Sequence, residues 1–210
     1  YEVRTNTSPG VAGPQLIQSG STANGVTTAN VTGVNTNTNY NVYVRSSCGS
    51  DGSSIWSVVY SFKTECDASA IPYTVVMPTS GLPECFKIEN LNSDTNLWTT
   101  STAQTGITGR VMSLGANSTL ASNDWFYTRG VQLVANQSYR LTFKYKKGTA
   151  SANQKLKVSY GNNLASTEMT NQIVDVAFVT NTDAQGVFFD FIPSTSGVFY
   201  FGFQRYAAAA

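Results

Sequence analysis

The stretch SYRLTFKYKKG, residues 138–148, decides the fold class. Tyr139, Leu141, Phe143 and Tyr145 fall on one side of a two-residue period, and Arg140, Thr142, Lys144 and Lys146 on the other. Successive side chains of a β-strand point to opposite faces, so the alternation predicts a strand with one face in a core and one in water. KLKVSYG (155–161) repeats the device with Leu156, Val158 and Tyr160, and YNVYVRS (40–46) with Tyr40, Val42 and Val44. GVFFDFIP (186–193) and GVFYFGF (197–203) are more continuously apolar, the pattern of strands covered on both faces. Gly, Asn and Ser clusters separate these runs, and helical periodicity is almost absent. Many short strands with regular turn signals predict an all-β chain built of antiparallel sandwiches.

Composition narrows the function. Of 210 residues, 41% are hydrophobic, enough for a core, while only 12% are charged, about half the usual share. The net charge of +1 comes with no basic block, which argues against nucleic acid as a partner. No apolar run approaches the roughly 18 residues of a membrane helix, so no membrane insertion of this segment is expected. The chain has 0 histidines, which removes the commonest general base and metal ligand. Neither a Ser-His-Asp device nor a histidine-ligated zinc site can be built from it. Calcium, which takes oxygen ligands, stays open. No two acids share a recognisable glycosidase frame. The residues therefore point away from catalysis, and a catalytic domain elsewhere in a longer protein stays possible.

A boundary is expected near Cys66, where periodicity gives way to the proline-bearing segment ECDASAIPYTVVMPTSGLPECF (65–86). The expected domains are 1–65 and 66–206, followed by an alanine tail, 207–210, without strand logic. The opening YEVRT reads as mid-strand, the mark of a fragment of something longer.

In the first domain VTGVNTNTNYNVYVRSSCG (31–49) resembles the later half of a fibronectin type III domain. Gly33, Val34, Thr38 and Tyr40 match its turn, and Val42, Val44 and Arg45 its following strand, although Val34 and Thr36 replace the usual Leu and Pro. The resemblance implies that the Tyr40 hydroxyl bonds back to upstream backbone. It also implies that SIWSVVYSFKT (54–64) is the last strand, and that two earlier strands precede residue 1. On this layout Cys48 and Cys66 sit a strand length apart, too far for a disulfide. Cys66 and Cys85 bracket the proline-bearing segment. Their pairing would close a loop of about 20 residues and stabilise by roughly 3 kcal/mol. Cys48 is then left over, and the alternative is three free thiols.

From Cys66 onward the chain resembles bacterial jelly-roll modules of the MAM-like, choice-of-anchor J or cleaved-adhesin kind. The carrying motifs are LPECFKIEN (82–90), SNDWFYTRGVQL (122–133), SYRLTFKYKKG (138–148) and SGVFYFGFQRY (196–206). The resemblance implies a structural calcium ion, held partly by an acidic patch after a Pro-Tyr pair. Here Pro72-Tyr73 is followed by TVVMPTS, without a carboxylate, and Asp124 alone keeps an acidic family position. Asp124 is thus the expected ligand of any calcium ion, in a site expected to be weak or lost. Its plainer role is a turn or strand-end residue bonding local backbone. Trp98 and Trp125 are candidates for stacking on sugar rings, although both positions pack inward in the resembled modules. The functional expectation is a non-catalytic adhesion or binding module of a bacterial surface protein. Its partners would be an extracellular glycan or protein ligand, and type IX secretion machinery during export. The alternatives are an accessory module of a secreted protease or glycosidase, and a structural spacer.

Overall fold

The computed structural model describes residues 1–115, 120–148 and 154–207. The chain is all-β, as the alternation predicts. Its strands are β1 (Glu2–Arg4), β2 (Leu16–Ser19), β3 (Asn39–Tyr43), β4 (Tyr60–Lys63), β5 (Lys87–Asn90), β6 (Thr99–Ser101) and β7 (Val111–Ser113). They continue as β8 (Ser122–Tyr127), β9 (Val131–Leu133), β10 (Tyr139–Tyr145), β11 (Gln154–Gly161), β12 (Asn171–Val179), β13 (Gln185–Phe191) and β14 (Gly197–Ala207). Single 3-10 turns at Gly49–Asp51 and Ser166–Glu168 are the helical segments among the described residues. The chain divides into two compact units, Tyr1–Asp67 and Ala68–Ala210.

The first unit is a four-stranded antiparallel sheet in the order β2-β1-β3-β4. Val3 pairs with Val42 and Tyr40 with Phe62, which places these apolar side chains on one face. Tyr40 is fully buried, and its hydroxyl accepts a hydrogen bond from the Asn35 amide at 2.7 Å. On the opposite face Arg4 is 1% exposed and donates through Nε to Glu2 at 2.6 Å. It also donates to Asn6 and to the Val11 carbonyl, while the Gly10 amide donates to Glu2. The pair is therefore almost fully satisfied, as a buried ion pair must be. Two expectations are corrected here. Val44 is exposed, because β3 ends at Tyr43. The last strand starts at Tyr60 rather than near Ser54, and Trp56 lies outside it under the Arg45 guanidinium, 4.4 Å from the ring centre.

The second unit is a sandwich. Its larger sheet runs β12-β11-β14-β8-β5, with β9 also pairing β14. The facing layer is the β10–β13 ribbon. Phe143 of the ribbon meets Phe203 edge-on at 5.3 Å, and Phe191 meets Phe201 and Tyr160 at 5.6 and 5.0 Å. Within the larger sheet Phe126 stacks on Phe203 at 4.7 Å. The alternation of β10 is as predicted: Tyr139, Leu141, Phe143 and Tyr145 are half-buried, while Arg140, Thr142 and Lys144 are exposed. GVFYFGF does form the central strand, β14. GVFFDFIP does not: β13 pairs β10 in a two-stranded ribbon, so Phe188 faces solvent, 60% exposed beneath the Arg140 guanidinium. Ala207 closes β14 and so belongs to the fold, while 208–210 of the alanine run lie outside the described residues.

The outer face of β8 is covered by the connection between β11 and β12. Trp125 and Tyr127 stack at 5.8 Å beneath Met169. Glu89 anchors that connection, accepting from the Tyr127 hydroxyl and, at 2.9 Å, from the Ser166 amide. Gly161 allows the close approach, since a Cβ there would lie 1.9 Å from the Glu168 carbonyl oxygen. Burial raises the Glu89 pKa, but the two hydrogen bonds and Lys87 outweigh it, and the pKa falls below the ordinary carboxylate value. Stability from this group is therefore present above the ordinary glutamate range and is lost as pH falls through the lowered native value. Glu89→Ala should destabilise by about 1–3 kcal/mol in urea unfolding followed by Trp fluorescence, and the variant should lose that part of the acid dependence.

Candidate functional site

Asp124 is the pivot of the candidate site. It lies on β8 opposite Arg205 of β14 and Asn90 of β5, two residues along from the buried Phe126. Alternation therefore turns its carboxylate toward the same face as the aromatic core. Asp124 is 1% exposed, and its enclosed carboxylate oxygens make no well-formed hydrogen bond.

The surroundings come from the 90–96 loop, NLNSDTN, which wraps the start of β8. The Leu91 amide donates to the Asn123 carbonyl, and Asn92 Nδ2 donates to the Ala121 carbonyl and to Asp94. Trp98 Nε1 closes the turn on the Asp124 carbonyl at 3.1 Å. The Asn96 amide donates to Asp94, and Asn90 Nδ2 to the Asp94 carbonyl. Asn92 Oδ1, like the Asp124 oxygens, is buried without a well-formed hydrogen bond. Burial and the Asp94 carboxylate raise the Asp124 pKa, against the Asn123 amide and the Arg205 guanidinium, which lower it. Arg205 is itself pushed down by burial, while Asp124 and Asp94 hold it up. Its Nη1 donates to the Gly115 carbonyl.

Asp124 and Asn92 carry three buried oxygens without a well-formed hydrogen bond, and the Asp94 carboxylate acts on Asp124 through its charge. Hard cations such as calcium prefer such ligands. Two acids, Asp124 and Asp94, with Asn92 are the residues here that would hold a calcium ion, fewer carboxylates than a strong site takes. The nearby Arg205 charge limits the strength of such a site. Asp124 is among the residues expected from sequence, whereas the 90–96 loop is not. Its signal was there to be read, since Asn90, Asn92, Asp94 and Asn96 alternate with non-ligating residues.

The other expected residues are elsewhere. Trp125 is 5% exposed, with its ring against Tyr127 and Gly202, so stacking on a sugar would first require uncovering it. Trp98 is half-buried, edge-on to Phe126 at 4.9 Å. Cys66 and Cys85 are joined in a disulfide, whereas Cys48 is an exposed free thiol.

These features define the class as an all-β, disulfide-bearing chain with a buried oxygen-lined nook. No protein-family model and no curated protein matches it. Among solved structures, the chain is similar to the K1 cleaved adhesin domain of Lys-gingipain from Porphyromonas gingivalis W83. That match has a TM-score of 0.47 and 17% identity, over 61% of this chain and 84% of that one. The K3 cleaved adhesin domain of the same protein matches with a TM-score of 0.45 and 14% identity, over 61% of this chain and 85% of that one.

The raised Asp124 pKa has a sign. A carboxyl group whose native pKa exceeds its unfolded value contributes stability that is complete below the ordinary Asp range and lost as pH rises through the raised value. In chelator, thermal stability should therefore fall across that window, and Asp124→Asn should remove the fall and melt higher than the parent at neutral pH. Melting curves in a pH series check this. A parent curve flat across the window would contradict it.

Proposed function

We propose that the chain is a non-catalytic extracellular adhesion or binding module of a larger bacterial surface or secreted protein. The observation that carries this reading is the Cys66–Cys85 disulfide in a chain with 0 histidines. Disulfides persist in oxidising compartments outside the cytosol, and histidine-based catalysis is closed to these residues. The four ordered motifs between 82 and 206 support the jelly-roll reading of the second unit. Strand order β2-β1-β3-β4 and the Tyr40–Asn35 contact support a fibronectin type III reading of the first. Export by a type IX system, and an extracellular glycan or protein as ligand, rest on the same resemblance. The direct test is binding of the 210-residue chain to an array of glycans and matrix proteins. Saturable binding to one chemical class is expected, a blank array would favour the spacer reading, and turnover of an arrayed substrate would overturn the non-catalytic one.

Calcium at Asp124 belongs to this proposal as a structural ion. Binding to the native state alone raises stability by mass action, by about 2.7 kcal/mol at one hundred times Kd. Millimolar calcium should raise the melting temperature of the parent over that in chelator and leave Asp124→Asn unmoved. Equal midpoints for the parent would remove the ion from the reading. A calcium-dependent rise that survives in the variant would move it to other ligands.

The disulfide should matter independently. Closing about 20 residues stabilises by roughly 3 kcal/mol, so Cys85→Ser should lower the free energy of unfolding in urea by a comparable amount. Reductant should do the same to the parent and nothing further to the variant.

A further inference from the structure

A half-open groove of about 1220 Å3 runs along the second unit, between the β10–β13 ribbon, the larger sheet and the 71–77 and β6–β7 segments. Ligand sites are commonly about 300–1,000 Å3, so this space holds a molecule of substantial length. Its walls are the inner aromatic and aliphatic side chains of both layers, among them Leu141, Phe143, Leu156 and Phe191. Among the described residues that line it, seven are Lys or Arg and none is Asp or Glu.

The cations are not spread evenly. Tyr145, at the end of β10, pairs with Gln185, and the Lys147 amide donates to the Asn181 carbonyl at 2.7 Å. Lys146 and Lys147 therefore sit beside the 180–184 turn. The β6–β7 connection reaches the same turn, since a Cβ on Gly106 would lie 2.8 Å from the Ala184 Cβ. Arg110, four residues on, is half-buried, and its Nε is enclosed without a hydrogen-bond partner. At the other end β10 begins with Tyr139, paired to Phe191, which packs on Tyr160 and Phe201. The space is thus cationic at one end and aromatic at the other.

Several of the cations are already engaged. Arg140 is paired with Asp190 at 2.7 Å on the outer face, Arg205 faces Asp124 and Asp94, and Lys155 lies over the Tyr206 ring. Asp183, in the 180–184 turn, is exposed and does not line the space. Lys144 is exposed on the outer side of β10, which leaves Arg110, Lys146 and Lys147 as the groups that a ligand would meet.

We infer that this groove binds a single-chain anionic amphiphile, its acyl chain between the layers and its carboxylate at Arg110, Lys146 and Lys147. An apolar chain gains by leaving water for the aromatic walls. A carboxylate gains charge-assisted hydrogen bonds at the cationic end. A neutral apolar ligand would leave those cations unanswered, and a fully polar one would bury its hydroxyls against carbon. The space shares Trp98 and Arg205 with the surroundings of Asp124, but its cationic end is built from other residues, and its ligand class goes beyond the adhesion reading.

The experiment uses the 210-residue chain and cis-parinaric acid, a fluorescent long-chain carboxylate, with its methyl ester as the uncharged control. Saturable enhancement at one acid per chain is expected, with the ester about tenfold weaker. The double variant Lys146→Gln/Lys147→Gln should remove most of the acid's advantage over the ester, Arg110 keeping the rest, and leave the ester unchanged. Leu141→Trp, which narrows the space beside Phe143, should weaken both. Should that variant fail to fold by circular dichroism, the ester comparison and the lysine variant decide alone. No saturable enhancement, equal affinity for acid and ester, or a lysine variant that weakens both alike would each overturn the inference.

Discussion

The register of β14 against β8 is the constraint on which the second unit depends. Phe203 opposite Phe126 stacks the two rings at the centre of the larger sheet, and Arg205 opposite Asp124 sets a cation beside a buried acid. A slip of one residue would turn every side chain of β14 to the other face. The aromatics would leave the core, and Arg205 would leave Asp124. Aromatic burial at several positions along one strand therefore holds a polar arrangement in place that could not form alone.

The same register explains why a costly group persists. A buried carboxylate without well-formed hydrogen bonds is unfavourable, and Asp124 carries its pKa upward as a result. Its neighbours on β8, Trp125, Phe126 and Tyr127, fill both faces of the sheet and lock the strand. The outer pair is sealed by a connection that Glu89 anchors, and Gly161 makes room for it. Strand β8 is thus fixed from both sides, and Asp124 is held where relaxation toward water is blocked. A cation is the physical remedy for such a position, and Arg205 supplies part of one.

The two units solve a similar problem alike. In each, a tyrosine at the start of a strand accepts a hydrogen bond from a backbone amide five residues upstream, Asn35 to Tyr40 and Val134 to Tyr139. Each such contact pins the incoming loop to the first residues of the strand. The phenol gains a partner for its hydroxyl, and the backbone amide is not left unpaired.

The sequence by itself determined the class of structure, because a two-residue period is a local property. The inner faces of β10 and β11, the burial of Tyr40 and the central place of GVFYFGF were legible residue by residue. The exclusion of histidine chemistry needed nothing beyond composition, and Asp124 was singled out through its Asn-Asp-Trp-Phe motif. What lay outside local reach was decided by tertiary structure. An apolar run such as GVFFDFIP reads alike at the centre or the edge of a sheet, and only pairing shows that β13 has a single neighbour. The oxygens around Asp124 come from a loop some thirty residues earlier, brought there by the β5–β8 register. The cationic end of the groove joins β6–β7, β10 and the 180–184 turn. No window of sequence contains those three together, since their meeting is a product of chain reversal and layer packing.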